Sequence, residues 1–214
     1  MKKQSLFKEK RITVIPNSIN IDKISSLSLL PLDLSCIKRP HEQMILSVGS
    51  VIKRKGFETL VRAFQIVKKK KPNVKLVILG QGYEPKEFKR IQELVKNLSL
   101  KSDVLMPGFD PNPYRWMRAA VLLISASSNE GFPNIVAEGL ALNCRIVATD
   151  CPGDTAWLLG YGRWGRLVPV GDYVTLSDTI LDALSSQSTT DTTQRAREFA
   201  PEAIQRAYED IFFS

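Results

Sequence analysis

The sequence predicts an α/β fold built on a parallel, doubly wound sheet. Three observations carry that prediction. Short apolar runs recur along the chain, and each stops at a glycine, a proline or a Ser/Asn cluster. Segments with one apolar face at helical spacing alternate with them, and the distance from run to run suits βα units rather than hairpins.

The elements follow in chain order. Arg11–Pro16 reads as a short strand ended by its proline, and Asn17–Asp22 has turn chemistry. Ser25–Pro40 mixes serine, leucine and proline without a period and reads as an irregular connector. The regular pattern then begins. Met44–Gly49 is a buried strand; Gly56–Val67 is a helix with Phe57, Leu60, Val61, Phe64 and Val67 on one face. Val74–Leu79 is a strand closed by Gly80-Gln81-Gly82, Pro85–Asn97 a helix, and Val104–Met106 a strand closed by Pro107-Gly108. A helix over Tyr114–Ala119 leads to the strand Val121–Ala126, a central helix and the strand Arg145–Thr149. Beyond Asp154 lie a short helix, a small strand within Tyr161–Gly171, a helix over Asp172–Leu184, a polar linker over Ser185–Thr193 and a last amphipathic helix over Ala200–Phe213.

Composition narrows the class. A chain of 214 residues with 43% apolar residues suffices for a sizeable core. No apolar run is long enough to span a membrane, and the basic start Met1–Lys10 lacks the apolar segment of a signal peptide. Cys36, Cys144 and Cys151 are irregularly spaced, which argues against a disulfide framework and a zinc site and points to the cytoplasm. The net charge of +8 suits phosphorylated small molecules, an anionic lipid surface or nucleic acid. No nucleic-acid-binding signature occurs, so nucleic acid is not the expected partner, and the tetralysine Lys68–Lys71 fits a solvated helix end.

The chemistry concentrates where a strand, a loop and a helix meet, over Ser127–Leu142. Pro133 suits the first helical position, and the backbone donors from Asn134 onward are expected to point out of the helix start toward an anion. Glu130 lies in the loop and Glu138 in the second helical turn, whose side chains lean toward the helix start. Two carboxylates beside a helix start suit sugar hydroxyls with phosphate close by. The same spacing is compatible with a capped helix flanked by two solvated glutamates.

Other strand ends add residues to the same edge, where ligands of such folds bind. Ser50, Lys53, Arg54 and Lys55 follow the first regular strand, Gly108 and Phe109 the third, and Asp150–Asp154 the fifth. Lys55 is the candidate phosphate cation, with Ser50 as a hydroxyl donor. The dinucleotide G-x-G-x-x-G, the Walker pattern and an Asp-x-Asp pair are all absent, so any diphosphate here is expected to be neutralised by fixed cations and a helix dipole. His41 is the only histidine and lies outside the regular core, which rules out a His triad there. Cys144, Cys151, Trp116, Trp157 and Trp164 read as packing residues.

Taken together, Val14–Asn20, Ser47–Ser50, Lys55–Phe57, Leu79–Gly82, Pro107–Phe109, Glu130–Glu138 and Val168–Asp172 resemble the donor-binding, C-terminal half of a retaining GT-B glycosyltransferase of the family 4, or group 1, type. Asn112–Met117 and Asp150–Gly153 are similar to the members that build glycans from hexose or N-acetylhexosamine donors. The resemblance implies that Glu130 with the amides of Gly131, Phe132 and the neighbours of Pro133, Asn134 among them, cradles donor sugar and phosphate. It implies that Glu138 holds ribose hydroxyls, Lys55 the diphosphate, and the backbone near Gly108 and Phe109 the base, with Glu130 and Lys55 as the catalytic pair. No metal or other cofactor is implied. Ser50 stands where the family usually has arginine, which makes Arg54 the candidate replacement; Asn143 and Val121 replace a usual Gly and Asp.

The resemblance also implies a domain plan. Residues 1–40 would be the remnant of a linker and strand, 41–190 the nucleotide-sugar-binding domain, and 191–214 a helix that packs on an N-terminal GT-B domain supplied in cis or trans. That domain would carry the acceptor site, so the chain alone is expected to turn over poorly. The partners implied are a nucleotide-sugar donor, that second domain, and the inner membrane face through basic residues. Two alternatives remain at this point: a non-catalytic nucleotide-sugar-binding subunit or inactive fragment, and a nucleotide-sugar epimerase of the same architecture.

Overall fold

Each central strand is apolar on both faces, which a parallel sheet covered by helices on two sides requires. The computed structural model describes residues 13–34, 41–186 and 190–213. Strands β1 (Gln43–Val48), β2 (Val74–Leu79), β3 (Val104–Gly108), β4 (Leu122–Ser125), β5 (Ile146–Thr149) and β6 (Arg166–Val168) form one sheet in the order β3-β2-β1-β4-β5-β6. All neighbouring pairs are parallel.

Alternate strand residues feed two cores. Ile45, Leu76, Ile78, Leu122, Ile124 and Val147 face one layer of helices, α2 (Phe57–Lys70), α3 (Pro85–Asn97) and α7 (Tyr173–Ser185). Met44, Leu46, Val77, Leu79, Leu123 and Ile146 face the other layer. That layer holds α1 (Ile21–Ser28), α4 (Tyr114–Ala119), α5 (Asn134–Ala141), α6 (Thr155–Leu158) and α8 (Thr193–Arg197). The last helix, α9 (Pro201–Phe212), buries Ile204 and leaves Tyr208, Ile211, Phe212 and Phe213 exposed.

The predicted architecture therefore holds, as do the β and α elements from β1 to α7 within a few residues at their ends. The entry segment differs. Residues 13–20 are not a strand, while Arg11 and Ile12 lie outside the described residues. Residues read as turn and connector include the helix α1. Asn20 caps it by accepting from the Lys23 amide at 2.8 Å, and Ile24 is buried in the core on that side of the sheet. The serines that obscured the pattern bond backward inside the helix, Ser26 Oγ to Lys23 O at 3.0 Å and Ser28 Oγ to Ser25 O at 2.7 Å. Short α8 was likewise hidden in polar sequence; its Thr192 hydroxyl donates to Leu140 O at 2.9 Å. Residues 35–40, Cys36 among them, and 187–189 of the expected linker lie outside the described residues.

Candidate functional site

In the order β3-β2-β1-β4-β5-β6 the chain direction of strand addition reverses between β1 and β4, the switch point beyond whose strand ends folds of this kind hold ligands in a crevice. Lys55 follows β1 and Glu130 follows β4, so the pair sits at this switch point. Their Nζ and Oε1 atoms are 2.5 Å apart.

Local backbone geometry sets the pair. After β1 the chain makes a 3₁₀ turn over Lys53–Lys55, closed by Gly56 at φ 65°. A side chain on Gly56 would place its Cβ 1.9 Å from Ala126 O, so only glycine lets this turn lie against the end of β4. The Ser128 amide donates to Arg54 O at 2.7 Å and joins the two loops. On the other side the Glu130 amide donates to Pro152 O at 3.1 Å, and the Asp154 amide to Gly131 O at 3.0 Å. Gly153, at φ 111°, approaches so closely that a Cβ would stand 1.5 Å from Glu130 O.

The Glu130 carboxylate is 7% exposed and fully engaged. Besides Lys55 it accepts from Ser127 Oγ at 2.7 Å and from Arg54 at 3.1 Å. Burial raises its pKa, but the hydrogen bonds of Lys55 and Ser127 and the charges of Lys55 and Arg54 more than offset this and hold it below the usual carboxylate range. Lys55 is largely buried, whereas Arg54 is 51% exposed, so one of the two cations still faces solvent.

Glu138 sits in a different environment. It lines a cavity of about 590 Å³ with Asn17, Tyr114, Asn134, Ile204 and Tyr208. Its one hydrogen bond among the described residues comes from Tyr114 Oη, at 3.1 Å. Burial pushes its pKa above the usual range, and the Tyr114 hydrogen bond only partly opposes that. Its own burial, and after that the charge and hydrogen bond of Glu138, push the Tyr114 phenol up to about 12. Tyr114 also lines a second cavity, of about 360 Å³, with Ser50, Gly80, Tyr83 and Phe109.

The predicted site residues thus fall into three neighbouring groups. Lys55, Arg54 and Glu130 form one bonded cluster, Ser50 and Phe109 share the 360 Å³ cavity, and Asn134 and Glu138 share the larger one. Gly108 holds the end of β3 by accepting from the Gly80 amide at 2.8 Å. Gly131 has open space where a side chain would be. Phe132 packs edge-on against Phe199, with centroids 5.6 Å apart, so any ligand contact falls to its backbone.

The start of α5 differs from the expectation. Pro133 precedes the helix, at φ −79° and ψ 84°, and Asn134 is its first residue. That backbone is an inverse γ-turn, in which the Asn134 amide donates to Phe132 O at 3.0 Å. The Asn134 amide therefore does not point outward; its side chain does, and accepts from Asn17 Nδ2 at 3.0 Å.

Sequence reasoning assigned no role to Ser127, Tyr114 and Asn17. Ser127 stands three residues before Glu130, a spacing that signals a local side-chain bond. Tyr114 and Asn17 reach partners 24 and 117 residues away, for which no local signal exists. His41 lies exposed just before β1, at the opposite edge of the sheet. Cys144 is packed, its thiol pushed up to about 12 by burial, and Cys151 is buried. No group of three or more His, Cys, Asp or Glu residues placed to hold a metal ion occurs among the described residues. Nor is any helix there long and apolar enough to cross a membrane.

The profile of the family "Glycosyl transferases group 1" matches residues 37–203. The chain belongs to this family. This group 1 glycosyltransferase chain is 35% identical, over 161 residues, to the N-acetylgalactosamine-N,N'-diacetylbacillosaminyl-diphospho-undecaprenol 4-alpha-N-acetylgalactosaminyltransferase of Campylobacter jejuni, covering 75% of the chain and 41% of that protein. It is 26% identical over 212 residues to the lipopolysaccharide core biosynthesis glycosyltransferase LpsE of Rhizobium meliloti, covering 96% of the chain and 59% of that protein. Among solved structures, Anabaena HepE in complex with UDP-glucose superposes with a TM-score of 0.82 at 20% identity, over 94% of this chain and 57% of that one. The fold is thus that of one half of a GT-B glycosyltransferase, and the chain spans between two fifths and three fifths of the proteins it matches here.

Proposed function

We propose that this chain is the donor-binding module of a retaining, metal-independent glycosyltransferase. It would move a hexose or N-acetylhexosamine from a nucleoside diphosphate sugar to a glycan or lipid-linked acceptor in polysaccharide biosynthesis. The observation that carries the reading is the Lys55–Glu130 pair at the crevice mouth, with a second carboxylate, Glu138, facing the adjoining cavity. Support for the donor class comes from HepE, whose structure contains UDP-glucose.

In this mechanism Lys55 exchanges Glu130 for the donor diphosphate, and Arg54, already half exposed, adds a second cation where Ser50 cannot. Fixed cations placed where charge develops stabilise the departing nucleoside diphosphate with little reorganisation. Glu130, freed of Lys55, accepts hydroxyls of the donor sugar beside the Gly131 and Phe132 backbone. Glu138 accepts the ribose hydroxyls, oriented by Tyr114, and the base lies against the backbone at Gly108 and Phe109. The exposed apolar face of α9, with Tyr208, Ile211 and Phe212, would meet the domain that carries the acceptor site. The same face supports a second reading, a nucleotide-sugar-binding subunit completed in trans. The basic residues would hold either assembly at the cytoplasmic face of the membrane.

Calorimetry with a panel of nucleotide sugars tests the module directly. One donor should bind, and Glu138→Ala should weaken it about tenfold or more, the worth of one or two hydrogen bonds to a charged group. Unchanged affinity would remove the ribose assignment, and rapid transfer to simple acceptors by the isolated chain would remove the need for a second domain.

A further inference from the structure

The amino edge of the sheet, away from the donor crevice, has a cavity of its own. Its volume is about 240 Å³, and it is walled by the starts of β4, β5 and β6, the end of α7 and the turn before β6. Arg145, Arg163 and Arg166 line it, and among the described residues no aspartate or glutamate does.

The three cations are not equally compensated. Arg166 pairs with Asp182 and donates to Ser186 Oγ at 3.1 Å. Arg145 has no carboxylate partner among the described residues. Its Nε donates to Val121 O at 3.1 Å, and one terminal nitrogen to Ala183 O at 2.6 Å and Ser186 O at 2.9 Å. These carbonyls fix the guanidinium without neutralising it, and the second terminal nitrogen has no partner among the described residues. Arg163 lies over the Trp164 ring at 4.6 Å and makes no ion pair or side-chain hydrogen bond among the described residues.

Arg145 and Arg163, neither with a carboxylate partner among the described residues and Arg163 exposed to solvent, both line one concave site, where a single anion can join them. The planar fork of Arg163, pre-oriented by stacking on Trp164, matches a tetrahedral oxyanion with two parallel hydrogen bonds, and the second terminal nitrogen of Arg145 can donate to the same anion. We propose that this cavity binds a phosphate group, held by Arg145 and Arg163 and flanked by Arg166. The sheet separates it from the Lys55–Glu130 crevice, so it is a second anion site rather than an extension of the first. A free phosphate and the phosphodiester of an anionic lipid headgroup share this chemistry.

The indole N–H of Trp164 is a local probe of the cavity, insensitive to phosphate bound in the crevice. Its resonance, assigned through Trp164→Phe, is followed in the full chain by ¹⁵N correlation spectroscopy at constant ionic strength. One arm adds inorganic phosphate. The other adds vesicles of phosphatidylcholine with or without phosphatidylglycerol and reads co-flotation of the chain. Arg163→Ala is the variant of choice, because that side chain stacks on Trp164 and makes no hydrogen bond among the described residues. A saturable Trp164 shift with phosphate, weakened about tenfold or more in Arg163→Ala, establishes a free-anion site. Flotation that requires phosphatidylglycerol and is lost in Arg163→Ala, without a response to inorganic phosphate, establishes a headgroup site. Absence of both responses, or a response unchanged in Arg163→Ala, overturns the proposal.

Discussion

Glu130 and Glu138 stand eight residues apart on one loop and helix, yet the fold treats the two carboxylates in opposite ways. Around Glu130 two cations and a hydroxyl converge, and three strand-end loops are tied to one another through its neighbours. Around Glu138 a single neutral phenol donates, and a large cavity lies open. The first group is paired and held low in pKa; the second is desolvated and held high. The difference teaches that a carboxylate fully satisfied by its own protein is a poor resting acceptor, whereas an under-satisfied one is ready for a ligand. In the proposed function Glu130 would have to lose Lys55 before accepting a sugar hydroxyl, and the donor phosphate would be the group that takes Lys55 away.

Breaking the Glu130 side should have the largest effects. Gly153→Ala forces a Cβ into Glu130 O at a backbone angle that alanine resists, and should cost more than about 3 kcal/mol in urea unfolding. Gly131→Ala, at a position where a Cβ would meet open space, should stay within about 0.5 kcal/mol. Equal costs for the two would show that loop contact does not position Glu130.

Lys55→Met should come next, at about 2–3 kcal/mol, because it leaves a buried carboxylate with only Arg54 and Ser127. Its pH dependence gives the sign. The Glu130 pKa is lowered in the folded state, so its pairing stabilises above the unfolded value of about 4.3 and is lost as pH falls through the folded one. The variant should lack most of that acid-side loss; an unaltered acid limb in the stability profile would contradict the pairing.

Glu138→Gln sharpens the other side. Here the folded pKa is raised by burial, so the wild-type carboxylate is a penalty that is absent below about pH 4.3 and grows as pH rises through the folded value. The glutamine chain should melt higher than wild type at pH 7.5 and equally at pH 4. A lower melting temperature at pH 7.5 would mean that the ionised form is the stabilised one. Arg54→Ala should have the smallest effect on stability, within about 1 kcal/mol, since that cation is half exposed.

The contrast also separates what a reader of the sequence could see from what was hidden. Both glutamates were legible, because one follows an apolar strand and the other falls in the second turn of the helix beyond it. Lys55 was legible from its place after the first regular strand. Their opposite electrostatics were not, because Lys55 and Arg54 lie 75 and 76 residues from Glu130, and Tyr114 reaches Glu138 from another helix. Helix α1 was missed since serines that look like loop chemistry turned their hydroxyls back onto its own carbonyls.

By itself the sequence determined the layered α/β architecture, since apolar runs and helical faces have fixed periods and a buried parallel sheet tolerates little else. It also determined that the polar strand ends would share one edge. Only the tertiary structure decided which strands became neighbours, and with the order β3-β2-β1-β4-β5-β6 it brought the loop after β1 against the loop after β4. That adjacency arises from sheet packing between distant segments. It neutralises Glu130, leaves Glu138 exposed to its cavity, and so gives two identical side chains two different chemistries.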